Sequence, residues 1–373
     1  MTLRFTDSDA QALIRSTARA FLAERYPWER LYAIERGETK IGRTELGEFA
    51  ELGWLALVAP LGSGGAGVSL LEAAVVIEEC GYAAVPAPIA VSNIAADLLA
   101  RCGCNDVVRS IASGRLLYTI NKSSRRRGNA RPTLPALSGD GVRGSVSLLP
   151  FGEDADFALT PVDLRGVAGW AAVPLGRCRR EPVDLLHRRG YAHVRLDGVP
   201  ASEVQVLAEG DEAEALHERC DALVTALSLI ELAGMMQRVL EMTTAYISTR
   251  VQFGQPIAKF QAARHRAAEL LMQAETVRWS AYHALWRFQN DPPDTREIWL
   301  AKHWAVRAAE RVFEVAHLLH GGVGVGTEYP LHLYTQAIAG YAARAGTMDE
   351  MVVRTLDSLD IQPRHAVTSD RRQ

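Results

Sequence analysis

The segment Arg250-Val-Gln-Phe-Gly-Gln-Pro-Ile-Ala-Lys-Phe-Gln261 separates two long stretches that are almost free of glycine and proline. Residues 214–248 hold one glycine and no proline, and residues 260–289 run unbroken toward Pro292-Pro293. Both flanks therefore predict long helices, with a sharp turn between them. A third helix, over 295–320, ends at Gly321-Gly322, where glycine can stop it. Two shorter helices are expected over 330–343 and after Thr347. Long helices joined by tight turns predict an antiparallel four-helix bundle. At the turn, the Arg250 guanidinium can fork onto diphosphate oxygens with a geometry that lysine cannot match. Phe253 offers a ring beside a flat cofactor, and Gly254 permits close backbone approach. A plainer reading puts Phe253 and Ile257 in the bundle core and pairs Arg250 with a surface acid.

Upstream the texture changes twice. Residues 116–205 carry short β-branched or alternating runs, at 116–120, 142–149, 157–162, 170–173 and 191–196, separated by Gly, Pro and Asp. They predict a small antiparallel β-domain that closes at Asp197-Gly-Val-Pro200. No Gly-x-Gly-x-x-Gly occurs and no crossover helix interrupts the strands, which argues against a Rossmann unit. Residues 1–115 read as helical. Thr6-Asp7 is placed to cap a first helix with apolar positions Ala10, Leu13, Ile14, Ala18 and Phe21. A helix over 45–57 and an apolar helix over 70–80 flank the loop Pro60-Leu-Gly-Ser-Gly-Gly-Ala-Gly-Val-Ser69. That loop follows a helix and lacks a Gly-Lys-Ser/Thr ending, so a structural turn fits better than a phosphate loop. The expected organisation is α+β and mainly α: an N-terminal helical domain (1–115), a middle β-domain (116–205), a C-terminal bundle (206–361) and a polar tail (362–373).

Composition excludes several classes of function. The 373 residues are 48% hydrophobic and 23% charged, with a net charge of −3. That balance gives no reason to expect nucleic-acid or membrane binding. The start, MTLRFTDSDA, has no apolar leader core, and a cytoplasmic location is expected. Five scattered cysteines without a CxxC pair suggest neither a disulfide framework nor a metal site.

The pattern Arg-x-Gln-Phe-Gly-x-Pro-Ile-x-x-Phe-Gln at 250–261 resembles the signature of the acyl-CoA dehydrogenase family of flavoproteins. A second segment, His320-Gly-Gly-Val-Gly-Val-Gly-Thr-Glu-Tyr-Pro330, is similar to that family's C-terminal flavin-contact segment. Leu318 stands where the family has a glutamine. The Pro-x-x-x-Gly-Gly-x-Gly loop, followed by a helix with Glu78-Glu79 and then Pro86, is similar to the family's N-terminal domain. The resemblance thus extends over nearly the whole chain. It implies FAD as cofactor, bound across a subunit interface by Arg250, Gln252, Phe253, Gln261, Gly321 and Gly322. It also implies an acyl-CoA thioester as substrate, in fatty-acid or steroid side-chain metabolism.

The resemblance breaks at the chemistry. Desaturation sends the α-proton to a base, a carboxylate in the family, and the β-hydride to the flavin. The base normally precedes a Gly-Thr pair, but Ala345 precedes Gly346-Thr347 here. Other members carry it about thirty residues before the Phe-Gly turn, and that position is Val224. Asp221 lies on roughly the same helix face, about 4.5 Å along the axis, and Glu231 about 10 Å away. Glu350 fits a capping box better than a base. The resemblance implies that Thr119 corresponds to the threonine of a strand that covers the flavin ring in active members. The acid and Gly-Ser loop of active members are absent from residues 116–130, where Arg125-Arg126-Arg127 either meet CoA phosphates or stay solvated. The leading expectation is a subunit that helps hold FAD while a related chain supplies the base, in a heteromeric α2β2 enzyme. The alternatives are a homo-oligomer using Asp221, a scaffold without redox chemistry, and a member acting on carrier-linked acyl groups.

Overall fold

A computed structural model of the chain describes residues 6–122, 134–185, 190–290, 295–344 and 356. Six helices come first: α1 (Asp9–Arg25), α2 (Trp28–Glu35), α3 (Arg43–Glu51), α4 (Leu70–Tyr82), α5 (Ile89–Arg101) and α6 (Asn105–Ala112). Ser8, not Thr6 or Asp7, caps α1. Its hydroxyl accepts from the Gln11 amide N–H and Gln11 reaches back to Ser8, while Asp7 is drawn into an ion pair with Arg15. The helix expected to reach residue 57 ends at Glu51. Gly53, at φ 71°, turns the chain into a 3₁₀ turn, Trp54–Ala56. The glycine loop closes on itself: Ala66, Gly67 and Val68 donate to the carbonyls of Ala56, Ala59 and Leu57. Those three amides are spent on the preceding turn, as a structural loop requires. Ser69 and Glu72 then form the capping box of α4.

Among the described residues nine strands follow: β1 (Tyr118–Ile120), β2 (Ala136–Ser138), β3 (Gly141–Arg143), β4 (Ser145–Leu149), β5 (Phe157–Leu164), β6 (Val167–Pro174), β7 (Arg179–Pro182), β8 (Ala192–Arg195) and β9 (Gln205–Glu209). One sheet runs β3-β2-β5-β6-β9 with β1 also on β5, and a second runs β4-β8-β7. The expectation of an antiparallel domain needs correction, because β1 and β2 both pair parallel with β5. Nor do the strands close at Pro200, since β9 continues the sheet beside β6. β5 and β6 form a tight hairpin whose inner residues are buried, which makes them the centre of the sheet.

The C-terminal helices are α7 (Asp211–Thr249), a short hairpin of β10 (Val251–Gln252) and β11 (Gln255–Pro256), α8 (Gln261–Asn290), α9 (Arg296–His320), α10 (Gly322–Val325) and α11 (Leu331–Arg344). Helices α7, α8, α9 and α11 pack as the bundle. α7 is long and apolar enough to cross a bilayer, but 78% of its most apolar window is buried inside the protein. It is the core helix, touching α4, α5, β6 and β9 as well as the bundle. Where α4 crosses it, a Cβ on Gly81 would sit 2.0 Å from the Glu231 carbonyl oxygen. One on Gly234 would sit 2.0 Å from that of Glu78. The two glycines let the backbones touch, and one continuous core joins helices and sheet. The helix expected after Thr347 and the polar tail fall outside the described residues, apart from Leu356.

Candidate functional site

At the end of α7 the chain turns through the β10–β11 hairpin, with Val251 opposite Pro256 and Gln252 opposite Gln255. Two residues make the turn, Phe253 at φ 51° and Gly254 at φ 81°. Positive φ at both positions matches the right-handed twist of a hairpin, and glycine meets that need more readily than phenylalanine. Phe253 is 91% exposed, so it is not bundle core. Ile257 is only partly buried against the core. Arg250, Gln252 and Gln261 are exposed, and Arg250 makes no ion pair among the described residues.

The end of α9 lies at the same end of the bundle. Tyr246, on the last turn of α7, stacks on His320, the last residue of α9, with ring centroids 4.6 Å apart. The His320 ring is buried, with Nδ1 2.8 Å from the Ala316 carbonyl and Nε2 3.3 Å from the Tyr329 hydroxyl. Burial pushes its pKa down, only partly opposed by the Ala316 carbonyl, so the neutral ring is favoured. Gly321 breaks the helix at φ 57°. A Cβ added to Gly321 or Gly322 would meet nothing within 4 Å, and Leu318 beside them is 61% exposed. One end of the bundle therefore presents a guanidinium without an ion pair among the described residues, exposed amides, a projecting ring and two positions free of side chains. This donor set fits a flat, diphosphate-bearing cofactor.

The expected base positions read differently. Val224 is half-buried and aliphatic, whereas Ala345 and Glu350 lie outside the described residues. Asp221, the fallback base, is buried, and its Oδ1 is 3.1 Å from the Lys122 Nζ. Lys122 Nζ also donates to the Thr225 hydroxyl at 3.2 Å. A proton placed on Asp221 would break an ion pair at a buried position, which suits a general base poorly. Glu231 is buried at the crossing of α4 and α7. Thr119 is fully buried and its hydroxyl donates to the Pro150 carbonyl, while the Asn121 amide donates to Thr160 Oγ1 at 2.9 Å. Arg125-Arg126-Arg127 fall outside the described residues.

Two arrangements escaped the sequence reading. One is Lys122, which sits in a polar stretch next to β1 and meets its partner Thr225 across 103 residues. The other is a buried charge cluster beside a cavity of about 190 Å³ between α1, α4, α7 and α8. There Arg15 pairs with Asp7, Glu78 and Glu79, Arg19 with Glu79, and Arg278 with Glu78. Tyr282 donates to Glu78 at 2.8 Å. These charges satisfy one another and serve packing.

A family model described as acyl-CoA dehydrogenase, N-terminal domain, matches residues 8–110, and one described as acyl-CoA dehydrogenase, C-terminal domain, matches residues 225–356. The chain belongs to the acyl-CoA dehydrogenase family. Among curated relatives, acyl-CoA dehydrogenase FadE27 of Mycobacterium tuberculosis is 28% identical over 323 residues, covering 81% of this chain and 84% of that protein. Among solved structures, a chain of the ChsE4–ChsE5 complex from Mycobacterium tuberculosis superimposes with a TM-score of 0.85. It is 25% identical over 97% of this acyl-CoA dehydrogenase chain and 100% of its own. A variant of the Tcur3481–Tcur3483 steroid ACAD gives a TM-score of 0.84 at 25% identity, covering 94% of this chain and 97% of that one.

Proposed function

We propose that this chain is one subunit of a heteromeric, FAD-dependent acyl-CoA dehydrogenase, contributing to the flavin site but not the base. The reaction is α,β-desaturation of an acyl-CoA thioester. FAD supplies the acceptor for the β-hydride, and the α-proton goes to a carboxylate of the related subunit. This chain's own part is to hold the cofactor. Arg250 would fork onto the diphosphate, Gln252 and Gln261 would offer amide hydrogen bonds, and Phe253 would lie against a flat face of the cofactor. Gly321 and Gly322 would let the helix end approach it closely.

One observation carries this reading. The α7 turn where a base would stand presents Val224, and the neighbouring Asp221 is already paired with Lys122, while the flavin-type residues stand exposed at the bundle end. Two-component assemblies among its structural neighbours support the same reading. The steroid wording of one of them adds steroid side-chain thioesters to the substrates worth assaying.

The test is co-expression with a related chain that carries Glu before Gly-Thr or at the α7 position. The pair should purify as a yellow complex that reduces an electron acceptor in the presence of an acyl-CoA. This chain alone should turn over no thioester. Ordinary turnover by the isolated chain with FAD would refute the subunit assignment, and a pair that stays colourless with added FAD would refute the flavin role.

A further inference from the structure

We propose that Tyr246, His320 and Tyr329 form an aromatic brace that holds the β10–β11 hairpin and the Gly321-Gly322 helix end at a fixed spacing. The proposal rests on the functional reading above, and it makes the three rings positioning residues for the cofactor rather than contacts to it.

Two of the rings are tied by backbone to the two halves of the grip. The Tyr246 carbonyl accepts the Arg250 amide N–H at 2.9 Å, and the Arg250 carbonyl accepts from the Ile257 amide at 2.9 Å, which closes the hairpin. His320 directly precedes Gly321, and Tyr329 lies between α10 and α11. The rings meet pairwise. Tyr246 stacks on His320 at 4.6 Å with 24° between the planes, Tyr329 lies tilted against His320 at 5.1 Å, and the two tyrosines meet edge to face at 6.2 Å. Aromatic pairs in such geometry contribute beyond the area they bury. The ends of α7 and α9 are thereby joined through side chains.

The imidazole at the centre is fixed in rotation as well as in place. The Ala316 carbonyl can only accept, so Nδ1 carries the proton and Nε2 accepts from the Tyr329 hydroxyl. Gly324 closes another side: a Cβ there would stand 2.8 Å from the His320 Cβ, so the α10 turn packs against the histidine as glycine. Tyr329 is anchored in turn. Its carbonyl accepts from His332 Nδ1 at 2.9 Å, and the Tyr32 ring stacks on His332 at 5.7 Å. Filling space would need no set ring orientation. Hydrogen bonds that lock a ring spanning two helix ends are what a binding site needs from the residues behind it.

Tyr246→Phe keeps the stacking ring, Tyr246→Leu removes it, and Tyr329→Phe removes the donor to Nε2. In the yellow complex with a base-bearing relative, held well below its melting temperature, release of FAD is followed by its fluorescence. Release should be about three- to tenfold faster in Tyr246→Leu and Tyr329→Phe than in the parent, and parental in Tyr246→Phe. A ring that only filled the core would lower the melting temperature and leave release at the lower temperature unchanged. The isolated full-length chain gives an arm without partner or flavin. There, amide hydrogen exchange over residues 250–257 and 320–326 should be about threefold or more faster in Tyr246→Leu and unchanged in Tyr246→Phe. A folded Tyr246→Leu protein with parental exchange overturns the brace, and so does parental release from its yellow complex. A Tyr246→Phe protein that loses as much as Tyr246→Leu also overturns it. If Tyr246→Leu unfolds, Tyr329→Phe decides in both arms. A parent complex that stays colourless refutes the subunit reading instead, and the exchange arm then decides the brace.

Discussion

Glu79 is 1% exposed yet receives two guanidinium groups, Arg15 at 2.7 Å and Arg19 at 2.7 Å. A carboxylate at that depth needs a buried counter-charge, and Arg15 is the more buried of its two partners. Glu79→Ala would leave Arg15 buried with less compensation, and it should lower unfolding free energy by about 3–5 kcal/mol in a denaturant titration. Arg19→Ala should cost only about 1 kcal/mol, because Arg19 is 43% exposed and solvent screens its pair. Equal losses would mean that burial is not what sets the cost. His320 gives a second expectation at this scale. Its folded pKa lies below the ordinary 6.5, chiefly through burial, so the unfolded chain binds the proton more readily. Stability from this group is complete above about pH 6.5 and is lost as pH falls through the folded value. Melting temperatures measured from pH 7.5 to 5 should fall less steeply in His320→Phe than in the parent. Neither role was legible in the sequence. Glu78 and Glu79 read only as part of a family-like helix, because Arg15 lies 64 residues from Glu79 and Arg278 lies 200 from Glu78.

Among the elements, the crossing of α4 and α7 sets the distance between the N-terminal helices and the bundle. Replacing Gly234 with alanine raises helix propensity by about 1 kcal/mol. The new methyl would stand 2.0 Å from a backbone carbonyl that no rotamer change can move. Overpacking of that kind costs about 1–3 kcal/mol, and a contact with rigid backbone belongs at the upper end. Gly234→Ala should therefore be net destabilising by about 1–2 kcal/mol, measured by chemical denaturation. A stabilised variant would show that the helices can slide apart. The long helices were legible because α7, α8 and α9 extend over dozens of residues without a breaker. The strands were less so. β2 is three residues long, and β7 and β9 are short and largely exposed, so they carry little apolar alternation. The parallel pairing of β1 and β2 with β5 depends on where the intervening chain returns, which no local period records. The cap of α1 was one residue off because Thr6, Asp7 and Ser8 are all competent caps, and the Arg15 ion pair removes Asp7 from the choice.

For the whole molecule, the question is what the exposed end of the bundle is for. Residues 250–261 were readable as a motif, but not the fact that Arg250, Gln252, Phe253 and Gln261 stand clear of their own core, because exposure is a property of packing and not of spacing. Phe253 separates folding from assembly. It is 91% exposed and held at φ 51°, a conformation that costs a non-glycine residue about 1–2 kcal/mol, and its ring meets the edge of Phe260 at 6.2 Å. The hairpin turn sets that positive φ, and glycine would meet it at lower cost. Phe253→Gly should leave the isolated chain as stable as the parent or up to about 1 kcal/mol more stable. Co-expressed with a base-bearing relative, the same variant should carry less flavin per assembly, read from the ratio of visible to protein absorbance. Arg250→Lys should also lower flavin content, since an ammonium keeps the charge but loses the planar fork. A Phe253→Gly protein that is destabilised yet fully flavin-loaded would reverse the assignment, making the ring a structural element of the hairpin and leaving the cofactor to other residues.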